Sequence, residues 1–278
     1  MRTKSYNIAK LVTASALAVG LVAVAQSASA GIALTRHNMG NSNTTSNRTA
    51  GTNEVCVFCH TPHGANTSAA GAPLWNKLST RTAASYTSYL QGVNSSTFDA
   101  ITSGPGAVSL ACLTCHDGTQ AMDNMFNAAG AGGFYTNGGG TSGLSTLYTW
   151  SSGDQTGVST DGFLTPTGTF NAVVGTDLSN DHPIGMNYCA SVLDTVTTIS
   201  AASCNDIDFN SVTTANGKYW VDNGTAGSFQ KTDFPLYSNG TNKVKVECAT
   251  CHDPHTGTNL FLRQSNTGSA VCIACHTK

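Results

Sequence analysis

The chain has 278 residues, with 13 Lys and Arg against 15 Asp and Glu, a formal charge of −2, and only 10% of its residues charged. That balance excludes a nucleic-acid binder, which needs net cationic surface. The 29 glycines and the abundant Ser, Thr and Asn exclude a large aliphatic core and fit a chain of loops and short strands.

Residues 1–30 read as an export signal. Arg2, Lys4 and Lys10 give a basic start, Leu11 to Ala25 is an apolar run too short to span a bilayer, and Ala28-Ser29-Ala30 is a cleavage signal. Cleavage after Ala30 would leave 10 basic and 15 acidic residues, a formal charge of −5. No second long apolar stretch follows, so no transmembrane segment is expected. Residues 31–55 form a polar arm of Thr, Asn and Ser that carries His37 and has almost nothing to bury.

Residues 56–119 open with CVFCHTPHG, which sets Cys56, Cys59, His60 and His63 within eight positions. APLWN follows at Ala72–Asn76, and Cys112-Leu-Thr-Cys115-His116 repeats the cysteine pattern. Short helical pieces are expected after Cys56 and before Cys112. Residues 120–247 carry no such pattern. They open with the glycine-rich loop GAGGFYTNGGGTSG and contain His182, Cys189 and Cys204. Val212–Ala215 and Lys218–Val221 flank Asn216-Gly217 and predict a hairpin. Phe234–Ser238 and Val244–Glu247, around Asn239-Gly240, predict a second. The segment is therefore a small β-containing insert. Residues 248–278 hold Cys248-Ala-Thr-Cys251-His252, His255 and Cys272-Ile-Ala-Cys275-His276.

C-x-x-C-H thus occurs four times, and it is the attachment signature of c-type haem. Two thiols reach the two vinyl groups on one porphyrin edge, and the next residue swings its imidazole to the iron. Zinc knuckles or disulfides would need no histidine after every second cysteine. The pattern predicts four covalently bound haem c groups, on Cys56 and Cys59, Cys112 and Cys115, Cys248 and Cys251, and Cys272 and Cys275. Their proximal ligands would be His60, His116, His252 and His276.

Of ten cysteines, two remain, Cys189 and Cys204. In an exported chain they predict a disulfide, worth about 3 kcal/mol for a loop of that length in the chain-entropy model. Of eight histidines, four remain: His37, His63, His182 and His255. They match the four open axial positions with none left over. Met39, Met122, Met125 and Met186 are then left to packing. His60 and His63 project from the same side of a turn and cannot share an iron, so His63 must serve another haem. His252 and His255 repeat the device. The expected assignment has His63 capping the second haem and His255 the fourth, with His182 and His37 left for the first and third. The fold class expected is a multihaem cytochrome c, mostly irregular, whose haems form much of the core of a single domain, 31–278.

With CVFCHTPHG, APLWN, CLTCHDGT, DHPIG at Asp181–Gly185, CATCHDPHTG and FLR at Phe261–Arg263 in view, the chain resembles the extracellular tetrahaem c-type cytochromes that polymerise into conductive filaments. The resemblance implies stacked bis-histidine haems and electron transfer, not catalysis, outside the cell. It further implies a homopolymer in which a neighbouring subunit donates one axial histidine, here His37, with other cytochromes or extracellular metal acceptors as partners. A soluble periplasmic tetrahaem shuttle is the alternative. A multihaem reductase would need a haem with an open iron position, and the ligand count supplies none.

Overall fold

The computed structural model describes residues 30–43, 47–67, 72–77, 81–89, 104–128, 148–152, 157–166, 171–181, 184–188, 208–224, 227–238 and 244–277. His182, Cys189, Cys204 and the glycine-rich segment, with the expectations attached to them, lie outside these residues. Among the described residues the α-helices are few and short: α1 (Ala30–Ala33), α2 (Ala107–His116), α3 (Cys248–Cys251) and α4 (Ala270–Cys275). Among the described residues, no helix is long and apolar enough to cross a membrane.

Strands β1 (Arg48–Thr49) and β2 (Trp150–Ser151) form one antiparallel pair, and β3 (Gly157–Val158) and β4 (Leu164–Thr165) another. The main sheet has five antiparallel strands in the order β5-β9-β8-β7-β6, where β5 is Met186–Asn187, β6 Val212–Ala215, β7 Lys218–Val221, β8 Phe234–Ser238 and β9 Val244–Val246. The first expected hairpin forms in register, Val212 opposite Val221 and Ala215 opposite Lys218. Asn216 and Gly217 both take positive φ, 53° and 72°, the backbone a two-residue turn needs to match strand twist. The second forms with Ser238 opposite Val244, but β9 stops at Val246. Glu247 leaves the sheet to cap α3.

Three apolar clusters form among the described residues, and each meets a haem motif; the smallest, Tyr86, Leu113 and Leu178, takes Leu113 from inside the second motif. Tyr188, Val212, Val221, Phe234, Leu236 and Val244 fill one face of the sheet, with Cys251 and Cys275 packed against it. Each such side chain contributes roughly 1.5–3 kcal/mol on burial. Met39, Val57, Phe58, Met122, Met125, Trp150 and Leu164 form the second, against Cys59 and Cys115. Thus the second cysteine of every motif lies at the edge of a core. Three methionines take the packing role expected of them.

The arm departs from expectation. Asn38, Met39, Asn47 and Thr49 are buried, Thr49 N–H donates to the Met39 carbonyl, and β1 pairs with β2. One methionine side chain and a set of satisfied amides suffice to dock a segment whose composition reads as solvent-exposed.

Candidate haem-binding site

Three of the motifs close in a single turn. The N–H groups of His60, His252 and His276 donate to the carbonyls of Cys56, Cys248 and Cys272, at 2.8, 3.1 and 2.9 Å. The second motif forms the end of α2 instead, with Cys112, Cys115 and His116 all helical. The first is a hydrogen-bonded turn where a helical piece was expected. After the turn the backbone becomes extended: His252 and His276 have φ/ψ of −107°/140° and −102°/137°.

That extension lets a second segment pair with three of the four motifs in one way. Thr61, Asp253 and Thr277 donate their N–H groups to the carbonyls of Leu74, Phe261 and Asp208. Asn76, Arg263 and Asn210 donate theirs to the carbonyls of the second motif cysteines, Cys59, Cys251 and Cys275. The side chains of the same three residues then reach the carbonyl after the first cysteine: Asn76 to Val57 at 2.6 Å, Arg263 to Ala249 at 3.0 Å and Asn210 to Ile273 at 3.2 Å. Carbonyls at the end of a short helical turn lack intrahelical partners, and these straps supply them. Leu74 and Phe261 hold φ of 55° and 58°, an uncommon conformation for non-glycine residues. It is held where each strap turns its carbonyls onto the motif.

The straps also orient the motif imidazoles. His60 Nδ1 lies 2.8 Å from the Pro73 carbonyl and His252 Nδ1 2.8 Å from the Leu260 carbonyl. His116 Nδ1 lies 2.8 Å from the Ala172 carbonyl. A carbonyl only accepts, so the proton sits on Nδ1 and Nε2 keeps its lone pair for a metal, the arrangement that fixes metal-bound imidazoles elsewhere. The thiols fit the same group. Burial pushes Cys59 and Cys275 up to about 12 and Cys251 up to about 11. Such thiols stay neutral, unlike zinc thiolates or reactive nucleophiles, and are at home as thioethers in an apolar wall. Among the described residues, no group of three or more His, Cys, Asp or Glu side chains could hold a metal ion.

Successive motifs are neighbours in space. Cys59 and Cys115 pack against one apolar cluster. Cys112 shares a hydrogen bond with Cys248, which raises the first thiol and lowers the second. Cys251 feels Cys272, and Cys275 feels Cys251. Glu247 clamps the middle of this line. Its carboxylate accepts from Gly106 N–H at 3.0 and 3.1 Å, where α2 begins, and from the Ser109 hydroxyl, a favourable place for negative charge. Ser109 in turn accepts from Cys248 N–H at 3.0 Å. The first thiols of the outer motifs, Cys56 and Cys272, are exposed.

Two of the histidines outside the motifs lie beside motif histidines. His255 lies against His60: the two ring centres are 6.0 Å apart and 18° from parallel. His37 lies against His116, with ring centres 6.1 Å apart at 66°, and stacks on Phe261. Burial, then the neighbouring His116, pushes His37 down to about 4, so it is a neutral imidazole, the form a metal requires. His63 is exposed; its carbonyl accepts from Thr61 Oγ1 at 2.9 Å and Asn127 Nδ2 at 2.8 Å. The His276 ring lies 4.5 Å from that of Phe209.

The straps and the Glu247 clamp carry no motif signal in the sequence, although two of the straps run through APLWN and FLR. Lys77 was also missed. It is fully buried, its ammonium donating to the carbonyls of Ala121, Met122 and Asn124 at 3.3, 2.7 and 3.2 Å.

Residues 242–278, which hold the third and fourth motifs, match the doubled CXXCH motif family. None of the curated proteins compared with the chain matches it. The match and the repeated pattern support a multihaem c-type cytochrome with covalently bound haem c, a class that works in electron transfer.

Proposed function

We propose that the exported chain, residues 31–278, carries four haem c groups, each between two histidines, and passes electrons along them outside the cell as the subunit of a polymeric cytochrome filament. When bound, haem supplies reversible one-electron iron chemistry. The chain's own task is to hold each imidazole still, exclude water from the thioether edges and keep neighbouring sites close. The observation that carries the reading is the continuity of the motifs: Cys59 beside Cys115, Cys112 beside Cys248 and Cys251 beside Cys275. Both ends of that line reach the surface, at Cys56 and Cys272, where electrons enter or leave.

The polymer is supported by the resemblance, by those open ends, and by the exposed apolar Leu34, Leu74 and Ile273 beside them or on the arm, which are 89%, 55% and 53% accessible. His37 lies on its own chain's His116; exchange of the arm between copies would place it on a neighbour's His116 with the same contacts, a domain swap. A periplasmic shuttle has the same haem chain without the exchange. A reductase needs an iron that lacks one histidine.

The test is electron microscopy of the haem-loaded protein beside His37→Ala. Filaments in the wild type that fragment in the variant support the polymer. Discrete particles in both, with low-spin spectra, leave a soluble carrier. A large high-spin fraction in the wild type returns the reductase.

A further inference from the structure

The parallel rings of His60 and His255 are too far apart to touch face to face. A face stack in the same molecule, His37 on Phe261, has ring centres 4.2 Å apart at 12°; His60 and His255 stand 6.0 Å apart at 18°. An imidazole nitrogen binds a first-row metal at about 2 Å, and the ring centre lies roughly 1 Å behind it, so two imidazoles on opposite sides of one ion have centres about 6 Å apart. One nitrogen of each ring is already engaged. His60 Nδ1 faces the Pro73 carbonyl at 2.8 Å. His255 Nδ1 lies 3.3 Å from Asp253 Oδ1, which also accepts the His255 N–H at 2.9 Å. Both Nε2 atoms are left for a shared partner. His37 and His116 repeat the separation, at 6.1 Å, with His116 Nδ1 engaged by Ala172.

We infer that His60 and His255 are the two axial ligands of one iron, that of the haem attached at Cys56 and Cys59. The third motif therefore caps the first haem across 195 positions of chain, and does not cap its neighbour, the fourth. Asp253 is the positioning residue: it stands where the first motif has Thr61, and its carboxylate holds the His255 ring as a carboxylate holds a metal-bound histidine in other sites. The first motif, with Thr61 at that position, lacks this carboxylate. The inference rests on the six-coordinate reading proposed above.

The experiment uses the full, haem-loaded chain. In His255→Ala one haem in four becomes high-spin by electron paramagnetic resonance, and added imidazole returns it to low spin. Asp253→Asn keeps four low-spin haems but weakens the His255 bond, so cyanide displaces an axial ligand from one haem several-fold faster than in the wild type. A density map of the wild-type protein then shows His255 on the iron of the haem bound to Cys56 and Cys59, and needs no variant to fold. Four low-spin haems in His255→Ala, or a map with His255 on another iron, overturns the pairing and leaves the carrier reading standing. A wild-type protein already high-spin at one or more haems overturns the six-coordinate reading and the pairing with it.

Discussion

The ring of His37 lies face to face on that of Phe261, with 4.2 Å between centres. Phe261 belongs to the strap of the third motif, and His37 to the arm that meets the second. One aromatic contact thus ties the arm, the strap and two motifs together. Phe261→Ala removes the platform and about 1 kcal/mol of stacking beyond the area lost. The expected outcome is a high-spin signal from one haem and faster proteolysis within 31–43, while Phe261→Tyr behaves as the wild type.

Asn76 is the most heavily used strap residue. Its amide donates to the carbonyls of Val57 and Asn127, at 2.6 and 2.8 Å, and its oxygen accepts from Asn127 N–H at 2.9 Å; Asn76 itself is buried, and the bonds with Asn127 are partly so. Asn76→Ala leaves those groups unsatisfied and costs about 2–4 kcal/mol. Asn210→Ala, at a partly buried strap, costs about 1 kcal/mol. Denaturant midpoints of the haem-loaded variants check the ranking. Equal losses would show that the straps do not depend on burial.

Glu247 makes stability pH-dependent in a definite direction. Burial, the largest influence, raises its carboxyl above 4.5 despite the hydrogen bonds from Ser109 and Gly106. The folded state therefore holds the proton more tightly than the unfolded one. This group's contribution is fully present below 4.5 and is lost as pH rises through the folded value. Glu247→Gln keeps an acceptor for Gly106 and removes the titration. The wild type minus variant difference in Tm should fall as pH rises through that window. A difference that stays flat would mean the carboxyl titrates alike in both states.

Much of the site was legible because haem attachment needs a fixed local spacing, so Cys56 to His60 and its three repeats announce themselves. The Asn216-Gly217 hairpin was legible for the same reason: the turn backbone needs those two residues. The strap partners were not. Pro73 lies 13 residues from His60 and Leu260 eight from His252, and Asp208 lies 69 residues before Thr277. They contribute backbone carbonyls, which any residue type provides, so composition carries no trace of them. Nor could counting histidines say which two share an iron. It set an expected number of ligands, whereas which rings stand together depends on how the third motif folds against the first.

Lys77 is an ammonium with three carbonyls as its partners, and its charge pulls against the burial that raises Cys59. Lys77→Met removes a cation near the first attachment site and leaves three carbonyl groups without their donor. Each buried unsatisfied group costs about 1–3 kcal/mol, so the loss is expected to exceed that of any strap variant. A positive charge favours the reduced form of a nearby site. Where the variant folds, spectroelectrochemistry should therefore show one haem moved to lower potential.

Arg263 separates the two roles that Lys77 combines. Its place is taken by Asn76 and Asn210 in the other straps, and all three cap the motif in the same way. Arg263→Asn therefore preserves the capping geometry and removes the charge beside Ala249, together with contacts from its guanidinium to the exposed Lys231 carbonyl at 3.1 Å and to Tyr237. Stability should change by less than about 1 kcal/mol, while the third haem moves to lower potential by tens of millivolts. If the potential stays put and the protein unfolds readily instead, Arg263 is a structural cap whose charge the solvent screens, and the third motif differs from the first and fourth in shape alone.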